Sequence, residues 1–63
     1  MNKIYTIKID YADTRLDRWF RRNISQVPQS LIEKNIRRGK IKVNHKKVKS
    51  SYKLQKNDQI NLY

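Results

Sequence analysis

The sequence predicts an α+β domain, with two short helices joined by a sharp turn and strands at both ends of the chain and after the second helix. Three observations carry this. Residues 30–48 read as an amphipathic helix, a glycine stop and a lysine-loaded hairpin. Leu31, Ile32, Asn35 and Ile36 share one side of a wheel turning about 100° per residue, opposite Ser30, Lys34 and Arg37. Residues 15–23 repeat the pattern, with Leu16, Trp19, Phe20 and then Ile24 as the apolar stripe and Arg15, Arg18 and Arg22 away from it. The two ends of the chain instead alternate with the period of two that marks a half-buried strand.

Taken in order, residues 3–9 form the first strand, with Tyr5, Ile7 and Ile9 on one face. Residues 10–13 are a polar turn, from which Asp13 or Thr14 can cap the first helix, and Thr14 with Asp17 has the spacing of a capping box. Asp17 is also placed to pair with Arg21 one turn on. Pro28 suits a helix first turn, and it pushes Val27 towards an extended conformation that separates the helices. Gly39, the only glycine, stands where a helix ends at positive φ. Strands over residues 40–44 and 46–49 flank a turn at Asn44-His45. Tyr52 and Leu54 are candidate core anchors, residues 56–58 form a turn, and residues 59–63 form a last strand with Ile60 and Leu62 inward, able to pair with the first.

Sixty-three residues make one small domain or a piece of a larger protein, and the chain's stop directly after a strand points to further chain beyond it. With no cysteine there is neither disulfide nor thiolate metal site, which fits a cytoplasmic setting. No apolar run approaches the roughly 20 residues that span a bilayer. Charge is the dominant fact: sixteen Lys and Arg against five Asp and Glu give a net charge of +11. Thirteen of the sixteen basic residues lie between Arg15 and Lys53, a field that favours a polyanion, nucleic acid before an acidic membrane. A solvated surface with no dedicated partner ranks lower, because self-repulsion at this net charge costs stability.

The catalytic inventory is thin. His45 is the only histidine, no carboxylates are paired for acid–base work, and one glycine cannot build a phosphate-cradling loop. The expectation is a non-enzymatic chain without cofactor or metal. A base-stacking platform would expose aromatics on adjacent strands, whereas Trp19 and Phe20 lie on an apolar helix face. What remains is a scaffold presenting Arg and Lys to a phosphate backbone, with arginine able to donate two parallel hydrogen bonds. The candidate contacts are Arg15, Arg18, Arg22, Lys34, Arg37, Arg38, Lys40, Lys46 and Lys47, with Gln29, Ser30 and Asn44 as neutral donors. Lys3, Lys8 and Lys56 lie outside the cluster and read as solubility charges.

Several ordered motifs resemble the S-four (S4) RNA-binding domain: Arg15-Leu16-Asp17, Ser30-Leu31-Ile32, the run from Arg38-Gly39-Lys40 through Ile41-Lys42-Val43-Asn44, and Asn57-Asp58-Gln59-Ile60. The resemblance covers residues 14–62. It implies a helix-turn-helix-like pair packed on a small, mostly antiparallel sheet, binding structured RNA by charge and shape. His45 stands where that family usually has Gly, Gln29 where Arg or Lys is common, and Asn57-Asp58 in place of Gly-Asp. The strand before Arg15, residues 27–30 and Tyr52-Lys53-Leu54 narrow the likeness to the N-terminal domain of large-subunit ribosomal RNA pseudouridine synthases, the C-type above all. There a separate domain performs the isomerisation with its own aspartate, so Asp17 carries no catalytic role. The resemblance implies a single domain over residues 1–63, a monomer, that helps deliver ribosomal RNA to a C-terminal catalytic domain. The alternatives are a free-standing ribosome-associated RNA-binding protein and, ranked lower, a DNA-binding helix-turn-helix protein reading a major groove.

Overall fold

The computed structural model describes residues 2–63. Its elements run β1 (Lys3–Thr6), a 3-10 turn at Ile9–Tyr11, α1 (Leu16–Asn23), α2 (Gln29–Arg37), β2 (Ile41–Val43) and β3 (Gln59–Leu62). The strands form an antiparallel sheet in the order β1-β3-β2, so the last strand lies between the first and the hairpin strand. Tyr5 stands opposite Ile60 on one side of β3, and Val43 stands opposite Ile60 on the other. Alternation at the chain ends thus closes the domain: one face of Tyr5, Ile60, Ile41 and Val43 meets the apolar stripes of both helices. The core comprises Ile7, Leu16, Trp19, Phe20, Ile32, Ile36, Ile41, Val43, Leu54 and Ile60. Tyr5 meets Trp19 edge to face, with ring centroids 5.6 Å apart.

Helix α2 ends as its sequence requires. Gly39 adopts φ +77°, its N–H bonds the Ile36 carbonyl at 3.0 Å, and the Lys40 N–H bonds the Asn35 carbonyl at 2.9 Å. This pair of bonds is the Schellman arrangement, which satisfies carbonyls that the helix leaves free. The turn at Asn44-His45 forms with both residues at positive φ, 51° and 65°. That is the sign pattern of a two-residue hairpin turn whose twist suits the strands.

Four local expectations are corrected. First, neither Asp13 nor Thr14 caps α1: Asp13 lies in a turn at φ 67°, and Arg15 is the N-cap with no side-chain cap bond. The free N–H groups go instead to a neighbouring segment. Leu16 N–H bonds the Tyr52 carbonyl at 2.8 Å, and Asp17 N–H bonds the Ser50 carbonyl at 3.1 Å. Second, β1 stops at Thr6 rather than at residue 9. Ile7 still pairs, its N–H and carbonyl meeting the Asp58 carbonyl and the Asn57 N–H, but the 3-10 turn then swings Ile9 outward to 63 % exposure. Third, residues 46–49 form no strand. Lys46 makes a single bridge to Val43, and the chain then leaves the sheet for the start of α1, where the Ser50 and Tyr52 carbonyls accept from Asp17 and Leu16. Fourth, Leu31 is exposed on α2, where Ile32 and Ile36 alone are fully buried.

Candidate nucleic-acid interface

Two aspartates position the candidate contact residues. Asp17 lies within the first turn of α1, beside its apolar stripe, and is buried. A carboxylate there needs several donors, and the fold supplies four. Arg15 grips it with Nε to Oδ1 at 3.2 Å and Nη2 to Oδ2 at 3.0 Å. The Arg18 N–H donates to Oδ1 at 2.7 Å, and Gln29 Nε2 donates to Oδ2 at 2.9 Å from the first position of α2. Gln29 accepts in turn from Arg21 Nη1, so the expected pairing of Asp17 with Arg21 is replaced by Arg15–Asp17 and Arg21–Gln29. Burial pushes the Asp17 carboxyl up, but the bonds from Arg15, Gln29 and the Arg18 N–H, with the Arg15 charge, hold it below the ordinary carboxylate value.

Asp58, just before β3, organises the hairpin with neutral donors only. Tyr52 Oη donates to Oδ2 at 2.8 Å, the Gln55 N–H to Oδ2 at 2.9 Å, and Asn44 Nδ2 to Oδ1 at 3.0 Å. Burial raises the Asp58 carboxyl, and these three bonds outweigh it, leaving it lowered. The same hydrogen bond to Asp58, reinforced by burial and by the carboxylate charge, raises the Tyr52 phenol. The Asn44-His45 turn is stapled twice more to β3: Asn44 Oδ1 accepts the Gln59 N–H at 2.9 Å, and buried Asn61 accepts the His45 N–H through Oδ1 at 2.8 Å.

The candidate residues fall into three sets. Arg18, Arg22, Ser30, Lys34, Arg37, Arg38, Lys40, Lys46 and Lys47 are exposed. Arg15, half of whose side chain is exposed, is tied to Asp17 through part of its fork while the rest stays open to solvent. Gln29 and Asn44 are both engaged internally through donor and acceptor atoms. The structure joins the end of α2 to the hairpin, because Lys47 Nζ donates to the Arg37 carbonyl at 3.1 Å. The Lys42 and Lys47 stems run over Gly39, whose absent Cβ would lie 3.4 and 3.5 Å from their Cε atoms. Lys42 also sets its ammonium over the Tyr63 ring, 5.7 Å from the centroid. Sequence reasoning missed Asp58, Asn61 and Tyr52 as the frame of this hairpin. The available signal was spacing: Asp58 precedes Ile60 by two, which puts it on the inward face of a strand.

The S4 domain family model matches residues 14–60. The chain belongs to the S4 domain family. It is similar to ribosomal large subunit pseudouridine synthase C of Salmonella typhi and of Escherichia coli K12, at 37 % identity over 60 residues in each case. The Haemophilus ducreyi protein of the same name is 40 % identical over 60 residues. These alignments take in 95 % of this chain but only 19 % of each relative, so the chain spans about a fifth of the length of the curated relatives it matches. No solved structure matches the chain significantly. Membership in the family supports an RNA-binding role for this domain. Among the described residues no helix is long and apolar enough to cross a membrane.

Proposed function

We propose that this S4 domain binds structured ribosomal RNA in the cytoplasm, as a monomer, and holds it for a pseudouridine synthase catalytic domain carried elsewhere in a longer chain. The observation that supports this reading best is the company the cations keep. Arg18 and Arg22 on α1, Lys34, Arg37 and Arg38 on α2, and Lys40, Lys46 and Lys47 around the hairpin are all exposed, on elements tied together by Asp17, Gln29 and the Lys47–Arg37 bond. A rigid arrangement of Arg and Lys favours a phosphate backbone of fixed shape over a diffuse polyanion. Arg15 contributes the outer part of its fork, while Gln29 and Asn44 act through the elements they fix in place. In this reading the domain itself carries no catalytic group, and the isomerisation belongs to the rest of the longer protein.

A salt titration of binding to a stem–loop RNA, with a DNA duplex of equal length as competitor, tests the reading. Neutralising about five phosphates gives a log–log slope of roughly −3.5 to −4.5. RNA preference with such a slope is the expected result, and equal affinity for both nucleic acids would reduce the domain to a sticky cation. The double substitution Lys34→Glu with Arg37→Glu should abolish binding while thermal unfolding stays cooperative. Unchanged RNA affinity in that variant would place the interface elsewhere.

A further inference from the structure

Glu33 is out of place on this molecule. Of the five acids, Asp17 and Asp58 are used inside the fold, and Asp10 and Asp13 lie in the turns before α1. Glu33 is exposed on α2 next to Lys34 and one turn before Arg37. It forms no ion pair with Arg37 although the spacing suits one; the ion pair present among the described residues is Arg15–Asp17. The carboxylate turns instead to the loop after the hairpin, where Ser50 Oγ donates to its Oε1 at 2.9 Å. Its Oε2 has no hydrogen-bond partner among the described residues. A bare carboxylate amid cations that bind phosphate weakens binding by like-charge repulsion, unless it meets a part of the RNA that donates hydrogen bonds.

The carboxylate opens onto a cleft between α2 and residues 48–51, with a volume of about 480 Å³. This lies within the range of sites that hold small molecules, roughly 300–1,000 Å³. Buried Ile36 and half-buried Val48 supply its apolar lining, Glu33 and Ser50 a polar wall, and exposed Arg37 and Lys49 its cationic border. An apolar lining suits the face of an unstacked base, a guanidinium can stack on that face or hold the adjoining phosphate, and a lysine reaches the backbone. The wall then decides which base fits.

We propose that this cleft holds an unstacked guanine of the bound RNA, with Glu33 accepting from its Watson–Crick edge. The proposal deepens the RNA-binding reading and rests on it. Guanine alone among the four bases presents two adjacent donors on that edge, the N1–H and the N2 amino group, and a carboxylate accepts both in parallel. Adenine places its N1 lone pair against the carboxylate, uracil flanks its single N–H with two carbonyl oxygens, and cytosine sets its N3 lone pair beside its amino group. Ser50 occupies one lone pair of Oε1 and fixes the carboxylate plane, leaving the other lone pair and Oε2 for the base.

The test uses the whole chain and short uridine oligomers carrying one central guanosine, inosine or adenosine, compared by fluorescence anisotropy at low salt. The guanosine oligomer should bind roughly fivefold to a hundredfold more tightly than the adenosine one. Inosine, which lacks the N2 amino group, should fall between them. Glu33→Gln keeps an acceptor for Ser50 but turns an amide donor towards the base. It should bind the adenosine oligomer at least as tightly as the parent, because a negative charge is gone, but the guanosine oligomer more weakly, so that the preference for guanosine is lost. Equal affinity of the parent for guanosine and adenosine overturns the proposal, as does a guanosine preference that survives Glu33→Gln. In both cases RNA binding itself stands. Failure to bind any oligomer or stem–loop sinks the RNA-binding reading and this proposal together.

Discussion

The start of α1 and the hairpin solve the same problem with different chemistry. Each buries an aspartate and surrounds it with donors, four at Asp17 and three at Asp58. At Asp17 two of the four come from a charged side chain that is half open to water, whereas at Asp58 every donor is neutral. On the proposed reading the helix end shares Arg15 between holding the fold and facing a polyanion. The hairpin end is structural, and Lys46 beside it is exposed and outside the frame, whereas Lys47 is tied to the end of α2. Stability and binding should separate cleanly at the hairpin and remain entangled at the helix pair.

Asp58→Ala is the change that breaks this contrast hardest. It strands the Asn44 amide, the Tyr52 hydroxyl and the Gln55 N–H at once, at a cost of about 3 kcal/mol. A chain this size holds only about 3–9 kcal/mol in total, so the variant should lose a third or more of its stability and melt roughly 12–24 °C below the parent by circular dichroism. Asp58→Asn should not rescue it, because every partner is a donor and an amide turns one donor against another. A variant that melts within a few degrees of the parent would show that the hairpin does not depend on this carboxylate.

Arg15→Met probes the start of α1, and a smaller loss is expected. Asp17 keeps Gln29 and the Arg18 N–H but loses its charged partner, at about 1–2 kcal/mol. RNA affinity should fall with stability, whereas Lys46→Met should weaken binding and leave the melting temperature unchanged. If Arg15→Met lowers one property alone, the shared role assigned to Arg15 is wrong.

Acid separates these two sites from the rest of the molecule. Both carboxyls titrate below the ordinary value of 3.8 when folded, so between that value and the folded pKa the unfolded chain binds more protons. The stability they contribute is fully present above about pH 5 and is lost as pH falls through their folded values. Thermal melts should hold steady from pH 7 to 5 and then decline. High salt should make the decline shallower at Asp17 only, because screening the half-exposed Arg15 charge lessens the lowering of that carboxyl. At the alkaline side the raised Tyr52 phenol has the opposite sign: its contribution is present below pH 10 and is lost as pH rises through its folded value.

The elements were legible in the sequence wherever one local rule decided them. The stripes of α1 and α2, the glycine stop and the pairing of the two chain ends follow from periodicity and from φ preference, and the structure shows each of them. The parts that were illegible depend on distant chain. Nothing near Asp13 or Thr14 reveals that the carbonyls of Ser50 and Tyr52 will take the first N–H groups of α1 and make a side-chain cap unnecessary. The fate of Gln29 and Asn44 was hidden for the same reason: a neutral amide looks like a ready ligand contact until the fold brings Asp17 and Asp58 to it. Exposed cations were legible because long charged side chains rarely find burial.

The gentlest test lies in the hairpin. His45 holds φ 65° with a side chain, a conformation that costs an L-residue roughly 1–2 kcal/mol and glycine almost nothing. Asn61 secures the backbone there whatever the side chain. Glycine would give up only the exposed hydrogen bond between His45 Nδ1 and the Tyr63 hydroxyl, at 3.2 Å. His45→Gly should therefore stabilise the domain by up to about 1 kcal/mol, after subtracting that hydrogen bond and the added freedom of the unfolded chain. A rise of a few degrees in melting temperature is the expected readout. Because the turn is already fixed by Asn44, Asp58 and Asn61, RNA affinity should stay level, and a loss of affinity would instead make the imidazole a ligand group. A lower melting temperature would mean that the link from His45 to Tyr63 holds the end of β3 more firmly than its exposure suggests.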